Sequence, residues 1–408
     1  MTLADQVVSS ASNVLAVVLV ARVLTPDDFG RFSLGYTMLT LTLALSRAYF
    51  GTRVTLAPDH ETALRLTGGL LAAIALLAPL VVAVVLALSV VAAGTASLGV
   101  LVVVACATPV VCMQDIVRFG AVAAGRPRTA LVSDSVWLAA MCVPFLMSSS
   151  LSPSATLAVW MGAAVVALLV ALAGLRRRPR LREGLAELTR RDRISGSVAI
   201  GSIVTTAATL LLLLVVTTAL NPAAAGSLRG ASTAMGPINV LLAFSALSLT
   251  PTLVRRGRTG DMRFCASIGL ALAVLTLAWG GVLLALPRWA GEAAFGASWP
   301  GIRSVLAWTV LQYLFIGVST GPVLGLKVRG QARRLVSQRV SAAFATVLGG
   351  SLVAFAVADV RAVALALALA SALSAAVGWT QFSRAVSAST GRESSPQPAT
   401  TTLSRAEG

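Results

Sequence analysis

The feature that most constrains this chain is a succession of apolar windows, near residues 6–24, 29–50, 66–92, 96–117, 130–149, 155–174, 197–219, 227–250, 264–286, 301–325, 335–357 and 361–381. Each is bounded by charge or by Pro and Gly. A helix needs roughly 20 mostly apolar residues to cross about 30 Å of hydrocarbon, and each window meets or approaches that length. Only helices and closed barrels satisfy their own backbone hydrogen bonds in lipid, and windows this long read as helices. The expected fold is an all-α polytopic membrane protein of about twelve transmembrane helices. Composition agrees: 57% of the 408 residues are hydrophobic and 12% charged, where soluble domains carry about 25% charge. The short connections exclude a soluble domain of any size.

Of the 32 basic residues all but Lys327 are arginine, and with 15 acids the net charge is +17. With the N-terminus placed in the cytoplasm, the inner connections hold Arg47, Arg53 and Arg65, then Arg118, Arg126 and Arg128, then the run from Arg176 to Arg193. They continue with Arg255 to Arg263, then Lys327 to Arg339, and the tail arginines. The outer connections keep Arg22, Arg31, Arg229, Arg288, Arg303 and Arg361. The bias sets both termini in the cytoplasm. In a soluble chain such charge would suggest nucleic acid. Here the cations sit at span ends and no basic, aromatic-interleaved module exists, so the expected partner is membrane lipid with anionic headgroups, and no nucleic acid. Met1 to Ala4 carries no basic region, so no cleavable signal is expected.

The longest connection divides the spans six and six, and the halves resemble each other. Leu24-Thr25-Pro26-Asp27-Asp28-Phe29-Gly30 recurs as Leu220-Asn221-Pro222-Ala223-Ala224-Ala225-Gly226. Leu131-Val132-Ser133-Asp134-Ser135-Val136 is echoed by Leu335-Val336-Ser337-Gln338-Arg339-Val340. Because six is even, the second copy starts on the same side as the first, and the repeats are parallel about an axis along the membrane normal. The expected organisation is an N-terminal six-helix bundle over 1–174, a basic cytoplasmic linker over 175–196, a C-terminal six-helix bundle over 197–381 and a disordered cytoplasmic tail over 382–408, Ser/Thr/Pro-rich from Ser387.

No HExxH or Walker A pattern and no GxSxG elbow is found, the run Gly317-Val318-Ser319-Thr320-Gly321 lying inside an apolar window, so no catalytic residue, metal site or cofactor is assigned and the chain is not expected to be an enzyme. Cys106, Cys112, Cys142 and Cys265 lie in apolar stretches without metal spacing and read as small apolar fillers. His60 sits in a charged loop with no ligand set. The neighbouring Asp27 and Asp28 follow Pro26 and read as a turn or helix cap. What remains is the set of ionisable residues within or at the edge of spans, which are costly in hydrocarbon and mark function by default. Arg22, Arg47, Arg118 and Arg229 are candidate cavity cations for an anionic group, since guanidinium matches phosphate bidentately. Asp115 and Arg118 are three apart on one helix face and can pair. Asp115, Asp134, Gln114 and Asn13 are candidates for gating or for coupling to a proton or sodium ion. Asp5, Ser9, Ser10 and Asn13 make the first half of span 1 polar, suited either to a wet cavity or to bonds between helices.

The stretch Ala4-Asp5-Gln6 through Ser10 and Asn13 to Ala21-Arg22-Val23-Leu24-Thr25-Pro26-Asp27-Asp28-Phe29-Gly30 resembles the first span of bacterial polysaccharide flippases, of the multidrug, oligosaccharidyl-lipid and polysaccharide exporter superfamily. Gln114-Asp115-Ile116-Val117-Arg118-Phe119, Ala124-Gly125-Arg126-Pro127-Arg128, Asp134 and Trp137 are similar to that family's turn from span 4 to span 5. The resemblance covers nearly the whole chain. It implies alternating-access transport of polyprenyl-pyrophosphate-linked oligosaccharide across a bacterial cytoplasmic membrane for cell-surface polysaccharide. Partners would be the lipid-linked oligosaccharide and other polysaccharide-assembly membrane proteins. It implies Arg22 and Arg47 as cavity arginines, and a structural or gating role for Asp115, Arg118 and Asp134. The second half departs from the first, with Ala223, Ala224 and Gln338 at the places of Asp27, Asp28 and Asp134. The alternatives are a multidrug or cation exporter of the same superfamily, which calls for an anionic cavity, a membrane enzyme of glycan assembly such as a polymerase, which calls for long outer loops, and a scaffold with no transport role.

Overall fold

The computed structural model describes residues 2–55, 57, 59–146, 153–175, 181–189, 193–242, 245, 262–329 and 331–393. Among them the chain is helical, without strands. The first half contains α1 (Thr2–Val23), α2 (Pro26–Ser46), α3 (His60–Ala93), α4 (Leu98–Ala123), α5 (Pro127–Leu146) and α6 (Pro153–Leu175). A short α7 (Leu181–Thr189) leads to α8 (Arg193–Ala219), α9 (Pro222–Ala234), α10 (Met262–Ala285), a short α11 (Arg288–Phe295), α12 (Trp299–Val328), α13 (Ala332–Val357) and α14 (Val360–Glu393). Among the described residues, the apolar windows of the sequence fall mainly on these helices. Helices α3, α4, α6, α10, α13, α14 and the stretch from α11 through α12 are long and apolar enough to cross a membrane by length and composition. The protein is a multi-pass membrane protein.

Three expectations change. The span at 227–250 breaks at Met235, where a turn separates α9 from residues 236–242, and its later part lies mostly outside the described residues. The linker is not all loop, because Leu181–Thr189 folds as an amphipathic helix on α3. The tail begins later than 382, since α14 runs to Glu393 and buries Phe382 and Ala385 against Leu326 and Cys265. Apolar periodicity that thins after residue 381 still leaves enough buried surface to hold three more turns.

The repeated motif builds the same local structure twice. The Thr25 hydroxyl accepts from the Asp28 amide at 3.2 Å and the Asn221 side chain from the Ala224 amide at 2.8 Å, each satisfying an orphan donor at a helix start. Pro26 and Pro222 occupy the first helical position, where no amide hydrogen is needed. Within the first half α1 packs on α5, α3 on α4, α4 on α6, and α5 on α6. Within the second, α8 packs on α13, α10 on α12, and α12 and α13 both pack on α14.

The bundles meet chiefly where α2 lies along α8 and α9. At one end the motif meets its own copy: a Cβ on Gly226 would stand 3.0 Å from the Gly30 amide nitrogen, and a Cβ on Gly30 would collide with the Pro222 carbonyl. Only glycine lets the helix starts approach so closely. Contact between equivalent residues is what a twofold axis between two copies produces, in keeping with the parallel repeat. Phe29, fully buried, fills the space beneath Gly226 and Gly230 and seals this end.

Candidate functional site

Below that seal lies a cavity of about 490 Å³, lined by Asn13 of α1, Tyr36 and Thr40 of α2, Arg47 just past its end, Val111 of α4, Trp137 of α5, Trp160 of α6 and Arg229 of α9. It runs toward Thr52, away from the Pro26 end. A second cavity of about 340 Å³ shares Asn13, Tyr36 and Arg229 with the first and adds Ser232, Thr233, Asn239 and Tyr313. No carboxylate lines either cavity among the described residues. The walls come from both bundles.

Arg47 owes its position to a break in helical register. After Ser46 the chain forms a π turn, Arg47–Gly51, before one further helical turn to Thr55. Single π turns inside α-helices often occur at functional sites, because the extra residue re-aims the side chains around it. Here Arg47 reaches Asp115 on α4 with two parallel bonds, Nε to Oδ2 at 2.9 Å and Nη2 to Oδ1 at 2.7 Å. The Asp115 side chain is 5% exposed and that of Arg47 42%, so the carboxylate is buried behind a guanidinium that faces the cavity.

Arg229 is placed differently. Its guanidinium sits over the Tyr36 ring, 4.8 Å from the centroid, and its Nε is buried without a hydrogen-bond partner. No carboxylate pairs with it among the described residues. An arginine held on an aromatic face keeps its donors available to an incoming anion. The two cavity arginines are therefore unequal: one is neutralised in place and the other carries its charge into the cavity.

The remaining candidates divide. Asn13 lines both cavities. Arg118 does not line them: it donates to Ser9 at 3.1 Å and lies 3.6 Å from Asp134, tying α4 to α1 and α5. Gln114 donates to Asp134 at 2.9 Å, and Asp134 is 2% exposed. The expected pair within α4, Asp115 with Arg118, is replaced by two pairs across helices, because bidentate geometry from Arg47 holds Asp115 while Arg118 turns toward α5. Arg22 also lies apart, at the sealed end, where its backbone packs on Gly296 in the turn before α12. Asp5 and Ser10 have side chains outside the described residues. Tyr36, Trp160, Asn239 and Tyr313 were not singled out in the sequence. The available signal was their rarity, since the chain has 3 tyrosines and 7 tryptophans.

Alongside the second cavity runs an apolar cleft of about 620 Å³, lined by Ala11, Val14, Leu15, Val18 and Leu138, with Pro237 and Leu241 on the facing segment. Val14, Gly236 and Val240 border both spaces. Polar and apolar surfaces thus adjoin within one site.

No family model matches the chain, and no curated protein matches it in sequence. Solved structures do match in shape. A multidrug resistance MATE family transporter of the MOP superfamily in its inward-facing conformation matches with a TM-score of 0.72 at 13% identity, over 95% of this chain and 96% of that one. An outward-facing conformation of such a transporter matches at 0.58, with 13% identity over 95% and 94%. The lipid II flippase MurJ, inward closed, matches at 0.63, with 11% identity over 92% of this chain and 86% of that one. Two helical bundles related by a parallel repeat, with a cavity between them, give this chain the fold of the MOP-superfamily transporters.

Proposed function

We propose that this protein is a transporter that moves a polyprenyl-pyrophosphate-linked oligosaccharide across a bacterial cytoplasmic membrane by alternating access, for cell-surface polysaccharide. The observation that carries the reading is Arg229, a guanidinium without a carboxylate partner in a cavity whose described walls hold no acid. Such a cavity attracts a diphosphate and repels a cationic drug. The adjoining apolar cleft offers the isoprenoid chain a path beside the headgroup, so the lipid tail stays in hydrocarbon while the polar part crosses. The arginine bias of the connections supports a cytoplasmic Arg47 end and an outer, sealed Pro26 end. The likeness to the inward-facing transporter supports a state loaded from the cytoplasm. Energy then comes from an ion gradient, the membrane potential or consumption of the product, with Asp115 and Asp134 as the proposed carboxylates for proton or sodium coupling.

The second reading, a multidrug exporter, draws on the likeness to MATE transporters. It requires an anionic binding surface. The experiment that separates the two is deletion of the gene followed by lipid analysis, with rescue by the wild-type, Arg229→Ala and Arg22→Ala forms. Accumulation of a sugar-linked polyprenyl pyrophosphate, relieved by wild type and by Arg22→Ala but not by Arg229→Ala, supports the flippase. Unchanged lipid pools together with drug sensitivity support the exporter.

A further inference from the structure

Helix α12 starts beside Arg22 at the sealed end and runs to Val328 at the opposite end, the one toward which Arg47 lies. There Lys327, Arg329, Arg333 and Arg334 follow one another from α12 into α13, and Arg384 lies on α14. Arg329 donates to the Ala385 carbonyl at 2.9 Å and Arg334 to the Gln381 carbonyl at 3.1 Å. Two guanidinium groups are thus pinned to one turn of α14, the turn that carries the buried Phe382. No acid accompanies them. From residue 293 to residue 392 the sequence has one carboxylate, Asp359, which stands before α14 at the far end of that helix from Arg384.

The first bundle treats its cations differently, since Arg47, Arg53 and Arg118 each face a carboxylate, on Asp115, Glu187 and Asp134. A topological bias explains why cations gather at this end, and not why one bundle pairs them and the other leaves them together. Like charges gathered without acids repel one another, and an anion bound among them relieves the repulsion. The pinned arginines have already lost side-chain freedom, so a phosphate meets donors that are held in place.

Beyond the cations the surface is apolar. From the exposed Arg333 the outward face of α13 continues through Val336, Val340, Phe344 and Leu348, all exposed and three or four residues apart. On α14 the exposed face leads from Arg384 through Thr380 and Ala376 to Leu373 and Leu369. The two helices pack on each other. Cations at one level, with apolar ridges running away from them, match the shape and charge of an anionic phospholipid.

We infer that this end of α13 and α14 is a docking surface for an anionic phospholipid of the adjacent leaflet, with its phosphate among Arg333, Arg334 and Arg384 and its acyl chains along the two helices. The lipid is bound and not carried. The surface is separate from the cavity between the bundles, and the inference holds whatever the cargo is.

The test uses the purified full chain in a neutral detergent, titrated with dioleoyl phosphatidylglycerol and separately with dioleoyl phosphatidylcholine, with bound lipid counted by native mass spectrometry. The two lipids share their chains and differ in net charge. Wild type should bind phosphatidylglycerol about twentyfold more tightly, about fivefold for each of the two exposed arginines. Arg333→Gln/Arg384→Gln should bring the two lipids within about threefold of each other. Arg384→Gln alone, expected to lose about fivefold, serves if the double variant does not fold. Arg303→Gln/Arg361→Gln removes the same charge at the sealed end and should keep the full preference. Equal binding of the two lipids by wild type overturns the docking surface. So does a preference that survives in Arg333→Gln/Arg384→Gln, or one lost equally in both double variants, which would trace it to overall charge. Displacement of phosphatidylglycerol by inorganic phosphate alone would indicate an ion site without a lipid surface and overturn it as well.

Discussion

Arg47, in the π turn that follows α2, holds Asp115 of α4 through both carboxylate oxygens, at 2.9 and 2.7 Å. The arrangement is asymmetric, with a buried acid and a half-exposed base, and the consequences of breaking it differ by side. Arg47→Ala leaves a buried carboxylate without its counter-charge, which typically costs about 3–5 kcal/mol, toward the lower end here because the cavity admits water. Asp115→Asn leaves a guanidinium that the cavity can solvate. Thermal unfolding in detergent should therefore show Arg47→Ala as the less stable variant, with Asp115→Asn closer to wild type and the double variant recovering much of the loss. Equal losses in the two single variants would contradict this asymmetry.

The seal at the Pro26 end depends on two glycines facing each other across the bundle interface. A methyl group at Gly30 collides with the Pro222 carbonyl, whereas one at Gly226 meets the Gly30 backbone at 3.0 to 3.2 Å and demands a smaller adjustment. Gly30→Ala should shift the population toward states open at the Pro26 end, and Gly226→Ala should do so less. A cysteine placed at Ser232, in the second cavity, reports the change: maleimide labelling from the Pro26 side should rise several-fold in Gly30→Ala. Labelling unchanged from wild type would show that the seal tolerates a side chain.

Acid should weaken one tie at the same end. Asp28 is held below the usual carboxylate range, first by the Ser97 hydroxyl, and also by Thr25 and Arg31, against an opposing effect of burial. A lowered folded-state value means that the contribution is present above the unfolded value, near 3.9, and is lost as pH falls through the folded value. Wild type should lose melting temperature between about pH 4 and the folded value of Asp28, and Asp28→Asn should lose less over the same interval. Identical acid profiles for the two proteins would remove Asp28 from the account.

The short helix α7 is attached by an ion pair between Arg53 and Glu187, reinforced by Arg53 Nη1 donating to the Glu187 carbonyl at 3.3 Å. Arg53 is 6% exposed, and the close fit of Gly184 against Ala72 and Ala73 lets the helix lie flat on α3. Glu187→Ala leaves the arginine buried and unpaired. Amide exchange in α7 should accelerate by about tenfold or more, while exchange in α12 stays as in wild type. Uniform acceleration would mean that the pair supports the whole bundle rather than one helix.

Much of the architecture was readable from the chain. Apolar windows place helices because lipid leaves few alternatives, and the Leu24 and Leu220 motifs marked the repeat that the contact of Gly30 with Gly226 displays. The candidate site was readable only in part. Arg47, Arg229 and Asn13 stood out as polar residues in apolar runs. Their partners did not, because spacing within one helix says which residues share a face and not which neighbouring helix that face meets. Asp115 and Arg118 illustrate the point, as each finds its partner on another helix. The π turn at Arg47 has no sequence signature in an apolar window. Trp160 reads there as one more large apolar residue, and its place in a cavity wall depends on how α5 and α6 pack.

The central claim is that the cavity carries an anionic lipid headgroup with Arg229 as its unpaired cation. Proteoliposomes containing the purified protein and a fluorescent, short-chain polyprenyl-pyrophosphate disaccharide test it most directly, with membrane-impermeant dithionite reporting the fraction in the outer leaflet. Wild type should equilibrate the lipid between leaflets faster than empty liposomes, and Arg229→Ala should slow that rate by about tenfold or more. A wild-type rate equal to that of empty liposomes, or transport indifferent to Arg229, would contradict the account.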